Sequence, residues 1–201
     1  MNKDTNPMTS ESAETPSSIL AFWFGESSDY GKSRPAWFKK DADFDDEIHR
    51  RFLATYESAA ASQLADWMAN AESCLALVVV LDQFPRNMFR GSARAFAADA
   101  LARAATIHAL QQGFDRQMKP VERQFLYLPL EHSESLDDQE QCLMLMRELS
   151  AFAETRDLHI WAEKHLVIIR RFGRFPHRNA ALGRENTAEE IAFLKEPGSS
   201  F

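Results

Sequence analysis

Residues 75–91 read LALVVVLDQFPRNMFRG, and whether their first seven residues form a strand or a helix decides the fold. The branched valines suit a buried strand. A strand needs a partner for its backbone ladder, however, and no second strand-like run exists anywhere in the chain. The stretch is therefore read as part of a helix from about Ala71 to Phe84. Pro85 is expected to end it, because the residue before a proline is pushed out of the helical region.

Outward from this run, apolar residues recur at spacings of three and four. Phe44, Ile48, Phe52, Tyr56 and Ala59 make such a stripe, with Asp41, Asp43, Asp45 and Asp46 suiting the helix's N-terminal dipole. Ser17 or Ser18 is read as the cap of a short first helix carrying Ile19, Phe22 and Trp23, stopped by Gly25. Further helices are predicted from about Phe96 to Gln112, from Pro120, from Ser135 through Leu149, from about Glu154 to Phe172, and after Thr187, where Glu190 completes a capping box. In the helix before Gly173, Leu158, Trp161, Ile168 and Phe172 are assigned to the core. The expectation is a single all-α domain over residues 17–201, of about eight helices in helix-turn-helix arrangement. The polar residues 1–16 are expected to form a disordered tail.

Composition narrows the function. The 201 residues carry a formal charge of −7, which argues against a nucleic-acid partner, since neutralising phosphates takes a basic surface. The seven-residue run 75–81 is far short of the roughly 20 apolar residues that span a bilayer, so no membrane partner is expected. Cys74 and Cys142 have no ligand-like spacing, so reduced thiols, a cytoplasmic location and neither metal nor cofactor are expected. Signatures of a serine nucleophile elbow, a phosphate-cradling loop, a dinucleotide fold and a zinc protease are all missing.

Polar residues interrupt the apolar stripes at three places. Asp82 continues the face of Leu75, Val78 and Val79, His132 follows Phe125 and Leu128 just past Pro129, and His165 lies among Trp161, Ile168 and Phe172. Taken alone, each is an ordinary core residue. Together they are costly unless they serve one another or a ligand. A second feature is a basic segment, Lys164 to Arg184, with six Lys or Arg and no acid. It either attracts an anion through arginine forks or forms a solvated face and internal ion pairs. A third is an echo, Phe-Pro-Arg-Asn at 84–87 and Phe-Pro-His-Arg-Asn at 175–179.

The blocks FWFGE (22–26), LDQFPRNMFRG (81–91), YLPLEHSE (127–134) and RFGRFPHRNAALGRENTAEE (171–190) resemble the bacterial family catalogued as domain of unknown function 924. The resemblance runs from about Ile19 to Phe201 and implies an all-helical fold similar to tetratricopeptide-repeat proteins. It transfers no activity. Its blocks contain Gln83, Arg86 and Asn87, then Glu131 and His132, then Arg171, Arg174, His177, Arg178 and Asn179. The candidate site is accordingly a pocket for a small phosphate- or carboxylate-bearing ligand. Arg86, Arg171 and Arg178 clamp the anion, Gln83, Asn87 and Asn179 orient it, and His132 or His165 acts as general acid or base, with Glu131 a further catalytic candidate. Asp82, Arg174 and His177 complete the ligand-binding set. Arg86 and Arg178 are expected to point into one cavity with His132 or His165. The alternative is a helical scaffold binding a peptide or protein partner.

Overall fold

The structure, a computed structural model, describes residues 14–200. The tail reading for residues 1–13 lies outside them. The first helix, α1 (Pro16–Phe24), begins earlier than the expected Ser17 or Ser18 cap. Thr15 caps it, its hydroxyl accepting from the Ser18 amide while its own amide donates to the Ser18 hydroxyl, and Pro16 takes the first turn. Helix α2 (Ala42–Ala60) is capped by the Asp41 carboxylate and buries Ile48, Phe52, Tyr56 and Ala59.

The run that decides the fold is helical. Helix α3 (Ala71–Val78) passes into a wide π turn, Val79–Gln83, and continues as α4 (Phe84–Met88). Pro85 does not end the helix as expected. The Phe84 amide reaches back five residues to the Val79 carbonyl, and this widened turn relieves the clash a proline ring makes with the preceding turn. With this rod counted once, there are eight helical segments among the described residues, and no strand. The others are α5 (Asp99–Gln112), α6 (Pro120–Glu131), α7 (Leu136–Glu148), α8 (Leu158–Phe172) and α9 (Ala188–Phe193). Helix α8 starts at Leu158 rather than about Glu154, because two 3-10 turns occupy 149–155.

Helices α1 and α2 pack on the α3–α4 rod, which also meets α5 and α6, after which α6, α7 and α8 each pack on the next. This succession is the extent of the likeness to tetratricopeptide repeats. The main core is strongly aromatic, with Phe84 stacked on Phe52 at 4.6 Å and Trp23 edge-on to Phe125 at 5.5 Å. A smaller cluster of Ile168, Ile169, Phe175 and Phe193 holds the C-terminal region. One core assignment fails. Trp161 is half exposed beneath the Lys164 ammonium, and the buried face of α8 runs instead through Ala162, His165, Leu166, Ile168 and Ile169. No helix among the described residues is long and apolar enough to cross a membrane.

Candidate functional site

The π turn adds one residue to the helix, which rotates the residues after it by about 100° relative to a regular ladder. It lies where the rod meets the C-terminal end of α6, and it holds Asp82 and Gln83 inside the domain. Asp82 is fully buried and depends on neighbours to remain ionised. Gln83 Nε2 donates to its Oδ2 at 2.6 Å, and Arg86, one turn on, lies 3.1 Å from its Oδ1 while also donating to its backbone carbonyl at 2.6 Å.

The facing group comes from α6. Pro129 is inside this helix, which ends at Glu131 and leaves His132 at the C-cap, with Gln139 of α7 donating to the last carbonyls. His132 Nδ1 lies 2.9 and 3.0 Å from the two Asp82 oxygens. An ionised carboxylate only accepts, so Nδ1 carries the proton and Nε2 is the basic nitrogen of the ring. Helix α8 brings His165 to within 6.4 Å of His132, centroid to centroid. Its Nδ1 is 2.9 Å from the Trp161 carbonyl and 3.4 Å from Glu131 Oε1.

The two Phe-Pro phrases meet in this region. Arg86 Nη2 donates to Asp99 Oδ2 at 3.1 Å, and Arg178 Nη1 donates to the same oxygen at 3.3 Å. Asp99, the first residue of α5, therefore joins guanidinium groups that are 92 positions apart in the chain. Phe96 lies under both, 5.9 Å from the Arg86 guanidinium carbon and 4.8 Å from that of Arg178, and Phe175 covers Arg178 at 4.5 Å. Arg178 is only 6% exposed, and its buried Nε has no hydrogen-bond partner. The cluster is partly open, the side chains of His132, Arg86 and Asp99 being 16%, 18% and 24% exposed. The two described cavities, of about 300 and 550 Å³, lie elsewhere, the first beside α8 and α9 and the second between α1 and α3.

Burial and crowding set the protonation states. Burial pushes the Asp82 carboxyl up, but Arg86 and the His132 hydrogen bond more than offset this and hold it below its ordinary value. Burial and then the Arg86 charge lower His132, against the pull of Asp82, so the ring is neutral at neutral pH. Burial takes His165 down to about 3 and His177 to about 4, in both cases helped by Arg178. Glu131 is pushed up to about 8 by burial and by Asp82, so its carboxyl is protonated at neutral pH. Arg178 itself drops to about 10, through burial and the neighbouring Arg86. A cation whose charge is this unwelcome gains from an anion.

Eight of the sequence-derived residues belong to this neighbourhood: Asp82, Gln83, Arg86, Glu131, His132, His165, His177 and Arg178. Four do not reach it. Asn87 turns to Asp45 of α2 at 2.7 Å, beside Arg90, which pairs with the same acid. Arg171 pairs with Glu189, and Arg174 makes a two-pronged contact with Glu190, so both tie α8 and its exit to α9. Asn179 bonds to Asn186 and accepts from Arg184. Three contributors escaped the sequence reading. Asp99 looks like ordinary dipole compensation at a helix start, and Phe96 like a core ring. Glu134, which accepts from the Phe175 amide at 2.8 Å and from both Arg184 terminal nitrogens, looks like a loop acid.

Fold and cluster together define an all-helical domain built around a buried ionic group at one end of a π-interrupted helix. Residues 19–198 match the family described as "Bacterial protein of unknown function (DUF924)", and the chain belongs to that family. Among solved structures, a protein of unknown function from Agrobacterium tumefaciens, ATU0120, is similar at 40% identity with a TM-score of 0.79, covering 90% of this chain and 96% of that one. No functionally curated protein matches.

Proposed function

We propose that the cluster binds a small anionic ligand, carried on a carboxylate or phosphate, through Arg178, with the Asp82–His132 pair poised to move a proton on it. One observation carries this reading. Arg178 is a buried guanidinium between two aromatic rings, held by one 3.3 Å contact, with its Nε unmatched. Burying a charge with so few partners is costly, and a ligand oxygen would supply what is missing. The Asp82–His132 geometry supports the chemical half, since an acid that fixes the Nδ1 proton leaves Nε2 able to accept one from a bound molecule.

Arg171, Arg174 and the two asparagines have structural partners and no part in this proposal. A scaffold that docks a peptide or protein partner is the second reading. It draws on the exposed Met144, Ile160, Trp161 and Val167 of α7 and α8.

A thermal-shift screen over phosphorylated and carboxylated small molecules tests the first reading, since a ligand at about 100 times its Kd stabilises by about 2.7 kcal/mol. Arg178→Ala should remove the shift, whereas His132→Gln should keep binding and lose any turnover. A hit that survives Arg178→Ala, or no hit at all, counts against the site.

A further inference from the structure

The position between the two arginines is already filled by a carboxylate of the protein. Asp99 Oδ2 takes a donor from Arg86 and one from Arg178, and its Oδ1 lies 3.0 Å from Arg86 Nη1. This is how a ligand carboxylate or phosphate would engage two guanidinium forks. Yet the hold on Asp99 is incomplete. It is the most exposed member of the trio, its Oδ1 makes no hydrogen bond, and its hold on Arg178 is the longest contact in the group.

It also has somewhere else to go. Asp99 is the first residue of the 14-residue α5, whose N-cap, Ala98, has no side chain able to cap the helix. The first-turn amides of such a helix attract a carboxylate, so a rotation of the Asp99 side chain exchanges one favourable electrostatic partner for another. The guanidinium pair has other holds. Arg86 is kept by Asp82, and Arg178 by the rings of Phe96 and Phe175.

We infer that Asp99 is an internal occupant of the anion subsite, which an incoming carboxylate or phosphate must displace from between Arg86 and Arg178 in order to bind. This rests on the reading of the cluster as an anion site and adds how access to it is governed. Asp99 sets a threshold, since only a group that engages both arginines better than a single aspartate can take its place. If the subsite is free of Asp99 about one part in ten of the time, apparent affinity is lowered about tenfold, and neutralising Asp99 restores it.

The experiment is a calorimetric titration of wild type, Asp99→Asn and Glu134→Gln with inorganic phosphate and, separately, with acetate. Glu134 carries the same charge near Arg178 but does not bridge the two arginines, so it controls for a general change in potential. Asp99→Ser serves if the asparagine variant melts below the working temperature, because serine suits a helix N-terminus. The expected result is binding about tenfold tighter in Asp99→Asn than in wild type, for at least one of the two anions, with a clearly smaller gain in Glu134→Gln. Unchanged or weaker binding in Asp99→Asn, with wild type still binding, overturns the internal occupant and leaves the site standing. Equal gains in the two variants also overturn it, in favour of simple charge removal. If neither wild type nor Asp99→Asn binds either anion, the anion site falls and the occupant with it.

Discussion

The two Phe-Pro phrases are written alike and used differently. Phe84-Pro85-Arg86-Asn87 lies inside a continuous helical rod, with Phe84 in the main aromatic core and Arg86 held by two acids. Phe175-Pro176-His177-Arg178-Asn179 lies in a loop ending in a 3-10 turn, with Phe175 in the small C-terminal cluster and Arg178 held by one long contact. Their arginines meet at Asp99, while their asparagines go to separate partners, Asn87 to Asp45 and Asn179 to Asn186. The difference teaches that the first phrase supplies a fixed, saturated charge and the second a charge with unused donors. The likeness in sequence places an arginine shortly after a proline in two different backbone settings, and does not make two equivalent ligand clamps.

The largest effect should come from the rings. Phe84→Ala empties a fully buried position at the centre of the larger cluster and should cost about 4 kcal/mol. Phe175→Ala should cost about 3 kcal/mol, because the smaller cluster around it has more freedom to collapse. Urea melts of both variants compare the phrases directly, and a Phe175→Ala loss as large as that of Phe84→Ala would erase the proposed asymmetry.

The arginines come next. Removing Arg86 leaves Asp82 buried with an uncompensated charge, so Arg86→Ala should destabilise by about 3 kcal/mol. Arg178→Ala removes a cation that burial and Arg86 already disfavour, and its melt should stay within about 1 kcal/mol of wild type. Equal losses in the two variants would mean that both arginines are structural keystones, and the second phrase would lose its claim to unused donors.

A pH series probes the groups between the phrases. Glu131 has a raised folded-state pKa, so its contribution is fully present below its ordinary 4.5 and is lost as pH rises through about 8. His165 and His177 are depressed. Their contribution is present above the ordinary 6.5 and is lost as pH falls toward about 3 and 4. Stability should therefore peak near pH 6.5 and decline on both sides, by up to about 1.4 kcal/mol per pH unit for each proton involved. Glu131→Gln should flatten the alkaline side alone. An unchanged alkaline decline in that variant would show that Glu131 is already ionised in the folded protein.

Much of the fold could be read from periodicity, because apolar spacing and caps are local properties. Ile48, Phe52 and Tyr56 behave as their spacing says, and Pro120 opens α6 as a first-turn proline should. The errors arise where tertiary packing overrides a local rule. Pro85 continues a helix because the π turn makes room for it, and Trp161 leaves the core because the buried face of α8 is centred on His165 and its apolar neighbours. The site was legible as far as inward-facing polar positions go, which brought out Asp82, His132 and His165. Asp99 was not legible, since its significance lies in bridging Arg86 and Arg178, a long-range pairing with no trace in its own neighbourhood. For Arg171 and Arg174, which lie outside the cluster, the reason is the opposite. Their acidic partners lie on α9, beyond the basic segment, so that segment appears unpaired when viewed alone.

The smallest effect concerns how the second phrase is held from outside. Thr187 accepts from the Glu190 amide at 3.2 Å, and the Glu190 carboxylate accepts from the Thr187 amide at 2.7 Å, which closes the capping box expected from the sequence. The same carboxylate receives both prongs of Arg174, immediately before Phe175. The cap thus supports the phrase as well as the short helix α9. Thr187→Ala removes one acceptor at a helix start, and the expected cost is about 1 kcal/mol in a urea melt. Thr187→Ser, which keeps the hydroxyl, should recover most of it. Anion affinity should not change in either variant, because the direct holds on Arg178 are Phe96, Phe175 and Asp99, none of them a residue of α9. A Thr187→Ala variant that keeps its stability but loses anion binding would reverse that division of labour and make α9 part of the site.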